Sequence, residues 1–156
     1  MQKILAIDPG TTESAWLVLD IDRMVPVDFK MQTNKKVIDL VEGWRGYIAI
    51  EIIKSYGNVI GDDMLQTVEL IGALTHAAEM PPFRLTRKEI VTHICGNPRA
   101  RDKNVRQALL DRFGGRAIAQ GKKIDPGPLY GVVRDIWSAL AISITAAELY
   151  VPLVEG

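Results

Sequence analysis

Apolar positions fall along this chain in two rhythms, short continuous runs and stretches repeating every three or four residues. Their order predicts an α/β fold. The first run, Ile4-Leu5-Ala6-Ile7, ends abruptly in Asp8-Pro9-Gly10. A run of that length bounded by turn residues predicts a buried strand with Asp8 at its open end. Residues 14–20 and 25–31 predict two further strands joined by a polar turn at Asp22 and Arg23, an antiparallel meander. Residues 34–44 change period, placing Val37, Ile38, Leu40 and Val41 on one helical face, with Asn34 as cap and Gly43 near the stop. Residues 47–53 (YIAIEII) return to a continuous β-branched run and predict a central strand buried on both faces.

The second half reads as helices around one more strand. Residues 54–61 form a loop with Tyr56 near its tip, and a long helix is expected from a cap at Asp62 or Asp63 to Met80. Its apolar positions Met64, Leu65, Val68, Leu70, Ile71 and Leu74 cover more than one face. That surplus predicts contact with a second subunit. After Pro81-Pro82 come a short parallel strand at 83–85 and a helix at 86–95, with Thr86 and Glu89 at capping-box spacing. A break at Gly96-Asn97-Pro98 precedes a helix at 105–113, stopped by Gly114-Gly115. Residues 116–129, rich in glycine and proline and carrying Lys122-Lys123, are expected to be a mobile basic loop. A last, mostly apolar helix at 132–150 carries Asp135 in its first turn. His76 and His93 read as ordinary helix residues.

With 156 residues, 47% of them apolar, the chain is expected to be one domain with a sizeable core. It has no uninterrupted run of about 18 apolar residues and no basic leader before an apolar stretch, so neither a membrane span nor a signal peptide is expected. A cytoplasmic location follows. The lone Cys95 has no thiol partner for a disulfide or zinc site and reads as a small buried hydrophobe. The net charge is zero, but it is strongly partitioned: residues 84–123 carry 11 bases and 3 acids, a net +8, against −5 before them and −3 after. Such a cluster is either a solvated face or a footprint for a polyanion.

Three carboxylates stand out. Asp8 equally fits the cap of a turn. Glu51 is harder to dismiss, because a charge inside a buried strand destabilises unless it is paired or bound to a metal. An ion pair with Lys54, or a turn beginning one residue earlier, would also accommodate it. Asp135 suits the positive end of a helix dipole. If the strands of Asp8 and Glu51 are neighbours, the two carboxylates meet at one end of the sheet, where open α/β sheets place their sites.

The motifs Ile7-Asp8-Pro9-Gly10, Ile48-Ala49-Ile50-Glu51 and Asp135-Ile136-Trp137-Ser138 running on to Ile142 together resemble the ribonuclease H-like nucleases. They are closer still to the RuvC family of Holliday-junction resolvases. Short phage-encoded relatives look especially similar in SYG after the glutamate, in HICGNPRARDKNVRQAL and in PGPLYGVVRDIWSALA. The resemblance spans nearly the whole chain. It implies a mixed five-stranded sheet, an antiparallel meander plus parallel strands, flanked by helices. It also implies an endodeoxyribonuclease acting in DNA recombination and repair, in which a homodimer nicks two strands of a four-way junction symmetrically. Asp8, Glu51 and Asp135 are then both catalytic and metal-ligating, holding Mg²⁺ or Mn²⁺, two ions in all, for in-line phosphodiester hydrolysis. The family usually has a second aspartate three residues after the first on the last helix. Here that position is Ser138, and a hydroxyl or waters would complete the second metal's shell. Arg99, Arg101, Lys103, Arg106, Lys122 and Lys123 are expected on phosphates, with Tyr56 stacking on an unpaired base.

IDPGTT also resembles the first phosphate loop of actin-like ATPases and sugar kinases. Those enzymes need a second glycine-rich loop in a later lobe, and neither the length nor a later motif supplies one, so no nucleotide cofactor is expected. Two other readings stay open: a nuclease of the same fold acting on structured RNA or other branched DNA, such as the family that processes pre-16S ribosomal RNA, and a catalytically silent junction binder.

Overall fold

The computed structural model describes residues 2–156. Strands β1 (Lys3–Asp8), β2 (Glu13–Asp20) and β3 (Val25–Thr33) form the expected antiparallel meander. Helix α1 (Asn34–Gly43) then crosses over, and β4 (Tyr47–Ile52) pairs parallel to β1. Helix α2 (Asp62–Ala77) leads to β5 (Phe83–Thr86), parallel to β4, and on to α3 (Arg87–Cys95) and α4 (Asp102–Arg112). A short α5 (Arg116–Gln120) precedes a hairpin of β6 (Gly121–Lys122) and β7 (Asp125–Pro126). The chain ends with α6 (Ile136–Leu149) and α7 (Val151–Glu155). The sheet order β3-β2-β1-β4-β5 is the expected mixed five-stranded sheet, an antiparallel meander plus parallel strands.

Strand periodicity divides the core into two layers. Ile4 and Ala6 of β1, Leu17 and Leu19 of β2, Ala49 of β4 and Leu85 of β5 point to the layer completed by α3, α4 and α6. Leu5, Ile7, Trp16, Val18, Ile48 and Ile50 point the other way, against α1 and α2. Helix α6 is buried around nearly its whole circumference from Ala139 to Ala147. Its two buried hydroxyls are satisfied within the helix, Ser143 donating to the Leu140 carbonyl at 2.7 Å and Thr145 to Ala141 at 2.8 Å. Among the described residues only Ile136–Glu155 is long and apolar enough to cross a membrane by composition, and 67% of that window is buried inside the fold.

Several boundaries differ from expectation, each for a local reason. α2 stops at Ala77 rather than Met80, with Ala78 already extended at ψ 136 and its amide closing the last turn on the Leu74 carbonyl; Pro81 then keeps Met80 out of helical geometry, so the helix does not resume. Its N-cap is Gly61, so Asp62 and Asp63 lie inside the first turn, where the dipole favours them. Asn34 is not the cap of α1 but its first residue. α4 begins at Asp102, before the apolar positions, with the Arg101 amide donating to Asn104 Oδ1 at 2.9 Å. The expected capping box of α3 is present at Thr86 and Glu89.

The largest correction concerns residues 116–129, which are ordered rather than a mobile loop. The Gly127 amide donates to the Gln120 carbonyl at 3.0 Å and the Leu129 amide to Ala119 at 2.8 Å. A Cβ on Gly127 would stand 2.2 Å from the Ile118 carbonyl oxygen, so glycine here permits close backbone packing.

Candidate functional site

Asp8 ends β1 on the same face as Ile4 and Ala6, and Glu51 lies near the end of β4 on the same face as Ala49. The parallel register pairs Ala6 with Ala49 and Ile7 with Ile50, so one step further Asp8 and Glu51 are neighbours beneath α6. The turn after Asp8 is locked. The Gly10 amide donates to Ser14 Oγ at 3.0 Å, Ser14 donates to Asn34 Oδ1 at 2.7 Å, and Asn34 Nδ2 returns to the Gly10 carbonyl at 3.0 Å. Gly10 is required there, since a Cβ would meet the Glu13 carbonyl oxygen at 2.2 Å.

Asp135 comes from α6. It occupies the N-cap position, one residue before the helix rather than in its first turn, and its side chain caps no amide. The preceding Arg134 takes a left-handed φ of 51° and pairs with Glu13 at 2.9 Å, which sets the approach of the chain. Ser138, three residues on, faces Asp8.

The electrostatics bind these groups into one site. Burial, then the charges of Glu51 and Asp135, raise the Asp8 carboxyl from 3.8 to about 8, and the Arg87 guanidinium and then a hydrogen bond from Ser138 partly oppose this. Glu51 is also raised, first by burial and then by Asp102 and Asp135, while Arg87 pulls it down. Its Oε1 is buried without a hydrogen-bond partner. The donors are carboxylates and a hydroxyl, hard oxygen ligands that suit Mg²⁺ or Mn²⁺ rather than a softer metal. An orphaned buried carboxylate oxygen fits such an ion. Among the described residues no three His, Cys, Asp or Glu side chains are drawn to ligating spacing, so Asp8, Glu51 and Asp135 do not form a closed cation cage in this structure.

Sequence reading missed two members of this site. Arg87 Nη1 lies 4.0 Å from Glu51 Oε1, and its other amino group pairs with Asp102. The Lys54 pairing considered for Glu51 is not formed; Lys54 instead lies 5.3 Å from the ring centre of Tyr56. Tyr56 is 60% exposed with φ 49°.

The basic residues fall in three places. Arg99, Arg101 and Lys103 line an open basin of about 370 Å³ with Asn97 and Asn104. Arg106 stacks its guanidinium 5.4 Å from the Trp137 ring, tying α4 to the start of α6. Lys122 and Lys123 are exposed on the hairpin. Among the described residues, none of Arg99, Arg101, Lys103, Lys122 and Lys123 forms an ion pair. Cys95 is half-buried and free. His93 bonds Glu148 at 3.1 Å, and neither it nor the exposed His76 joins the acidic site.

No family model and no curated protein matches this chain. Solved structures do. The Thermus thermophilus RuvC structure aligns with TM-score 0.62 at 15% identity, covering 94% of this chain and 93% of that one. T. thermophilus RuvC in complex with Holliday junction substrate aligns with TM-score 0.63 at 14% identity over the same shares. The fold is therefore RuvC-like.

Because the folded Asp8 carboxyl holds its proton to about 8 against an ordinary 3.8, the native metal-free protein binds more protons than the unfolded chain between those values. Stability therefore falls as pH rises through that window. Asp8→Asn removes most of this dependence: equal to wild type near pH 4 and more stable by roughly 2–4 kcal/mol at pH 8.5. Urea unfolding in EDTA across that range measures it, and a difference that does not grow with pH contradicts the burial described.

Proposed function

We propose that this protein is a metal-dependent endonuclease that nicks four-way DNA junctions by phosphodiester hydrolysis, working as a homodimer. The observation that carries the reading is the junction of β1, β4 and α6, where a buried, partnerless Glu51 oxygen lies beside a charge-crowded Asp8 and Asp135. Asp8, Glu51 and Asp135 would hold two Mg²⁺ or Mn²⁺ ions, with Ser138 presenting a hydroxyl to the same space. Such ions supply Lewis-acid charge to the attacked phosphate and its leaving oxygen. The RuvC-like topology supports the assignment, and the neighbour's complex with a Holliday junction supports branched DNA as the substrate class.

The remaining residues act on the DNA. Arg99, Arg101 and Lys103 present unpaired cations from one basin and Lys122 and Lys123 from the hairpin, charges suited to backbone phosphates. Arg106 reaches phosphate only at the expense of its stacking on Trp137. Tyr56, exposed on the loop after β4, offers a face for an unpaired base. For the dimer, Leu65 and Val68 leave an apolar strip about half exposed on α2.

Asp8→Asn, Glu51→Gln and Asp135→Asn should each keep the fold and junction binding while abolishing Mg²⁺- or Mn²⁺-dependent cleavage. Ser138→Asp should retain activity and strengthen metal binding. A four-way junction should be nicked in preference to plain duplex or structured RNA. Cleavage of the RNA instead would overturn the substrate, and cleavage of nothing with any divalent ion would favour a silent binder, the reading to which Ser138 lends weight. Replacing Arg99 and Arg101 together with alanine should flatten the salt dependence of junction binding by about 2 in logarithmic slope; an unchanged slope would place the DNA elsewhere. Sedimentation at tens of micromolar should show a dimer, and Val68→Glu should shift it to the 17.3 kDa monomer.

A further inference from the structure

Arg87 is a cation where elementary electrostatics disfavours one. It is the first residue of α3, and the aligned amides of a helix N-terminus repel positive charge. The acid of that same turn does not compensate it: Glu89 is engaged by the Thr86 amide at 3.3 Å and by the Tyr150 hydroxyl. What compensates Arg87 lies across the sheet. The register sets Leu85 of β5 against Glu51 of β4, so the residue two beyond Leu85 emerges beside Glu51 at the mouth of the site. From there its guanidinium divides between two acids, 4.0 Å from Glu51 Oε1 and paired with Asp102 at the start of α4. The Glu51 side chain is 21% exposed and that of Asp102 93% exposed, so the fork has one inner and one outer anchor.

We infer that Arg87 is the resident counter-cation of the acidic mouth, a positioning residue that holds Glu51 in the metal-free protein and competes with a divalent cation for it. This rests on the metal-dependent reading above. The 4.0 Å approach to Glu51 lies at the limit of an ion pair and leaves Oε1 without a hydrogen bond. Arg87 thus screens the carboxylate without saturating it. A divalent ion reaching Glu51 brings like charge against the guanidinium, which has its outer anchor to retreat to. Asp102 opens the helix that follows Arg99 and Arg101. Loading the site therefore returns a cation to the segment proposed to bind phosphate, and couples metal occupancy to the DNA surface.

Isothermal titration of metal-free, full-length protein with Mn²⁺ tests this without any cleavage assay. Arg87→Gln should bind Mn²⁺ at least threefold more tightly than wild type, because the competitor is gone. Arg87→Lys, which keeps the charge, should stay within twofold. In EDTA, Arg87→Gln should melt below wild type and regain more of its melting temperature on Mn²⁺ addition than wild type gains. Arg87→Met, which retains the aliphatic stem, supplies a second uncharged variant should the glutamine fail to fold. An uncharged variant that folds and binds Mn²⁺ no more tightly than wild type overturns the inference and leaves the nuclease reading standing. A wild-type protein that binds no Mn²⁺ overturns both.

Discussion

Asp8 and Glu51 share one face and one end of two parallel neighbouring strands, and the packing of α6 removes much of the water that would otherwise screen them. Strand periodicity leaves no alternative: with Ile4, Ala6 and Ala49 facing α6, residues of the same parity at the strand ends must face it too. The consequence is a pair of crowded carboxyls in a poorly solvated mouth, with Asp135 added from the entry to α6. A core built only for stability would avoid this arrangement, since well-packed apolar residues in the same space would serve it better. Local rules broken at one place, in a chain that obeys them elsewhere, mark a site.

Everything around that mouth serves to hold it against its own repulsion. The turn after Asp8 is fixed by Ser14 and Asn34, residues from β2 and the start of α1, so the strand end cannot swing outward. α6 is alanine-rich over Ala139, Ala141, Ala146 and Ala147, small side chains that let the helix approach the sheet closely. Close approach puts Asp135 and Ser138 over the end of β1. The second core layer, with α1 and α2 on the opposite face, anchors the other parity of the same strands. The site is thus clamped from both sides of one sheet.

How much of this could be read in advance follows from which signals are local. The apolar runs of β1, β2 and β4 and the body of α6 were legible because burial on both faces writes itself as continuous hydrophobicity, and the Thr86 to Glu89 box because capping is a three-residue affair. Glu51 was legible as a carboxylate at odds with its surroundings, whereas Asp8 and Asp135 each fitted an ordinary structural place and stood out through the family resemblance. The ordered hairpin was not, since the glycines and prolines that mark a mobile loop are the same residues that allow tight backbone packing; only the contacts of Gly127 with α5 distinguish the two. Arg87 was hidden differently. In a charge count it is one more base of the +8 segment, and its pairing with Glu51 exists only through the β4–β5 register and the fork to Asp102. A cation at the first position of a helix was the one local hint.

That register also changes the meaning of the charge partition. The basic segment is not uniformly directed at a ligand: Arg87 turns inward to the acids, Arg106 onto Trp137 and Arg112 to Glu148, while Arg99, Arg101 and Lys103 stay unpaired. The acids divide in the same way, and Ser138 is best understood within that balance. A carboxylate at 138 would face Asp8, whose proton affinity is already raised by burial and by two neighbouring acids. It would sharpen the repulsion in the metal-free protein and offer another charge to a cation. The hydroxyl does the reverse, stabilising ionised Asp8 by hydrogen bonding and adding no charge. Serine at this position therefore favours the stability of the acidic mouth and leaves Arg87 as the chief cation beside it.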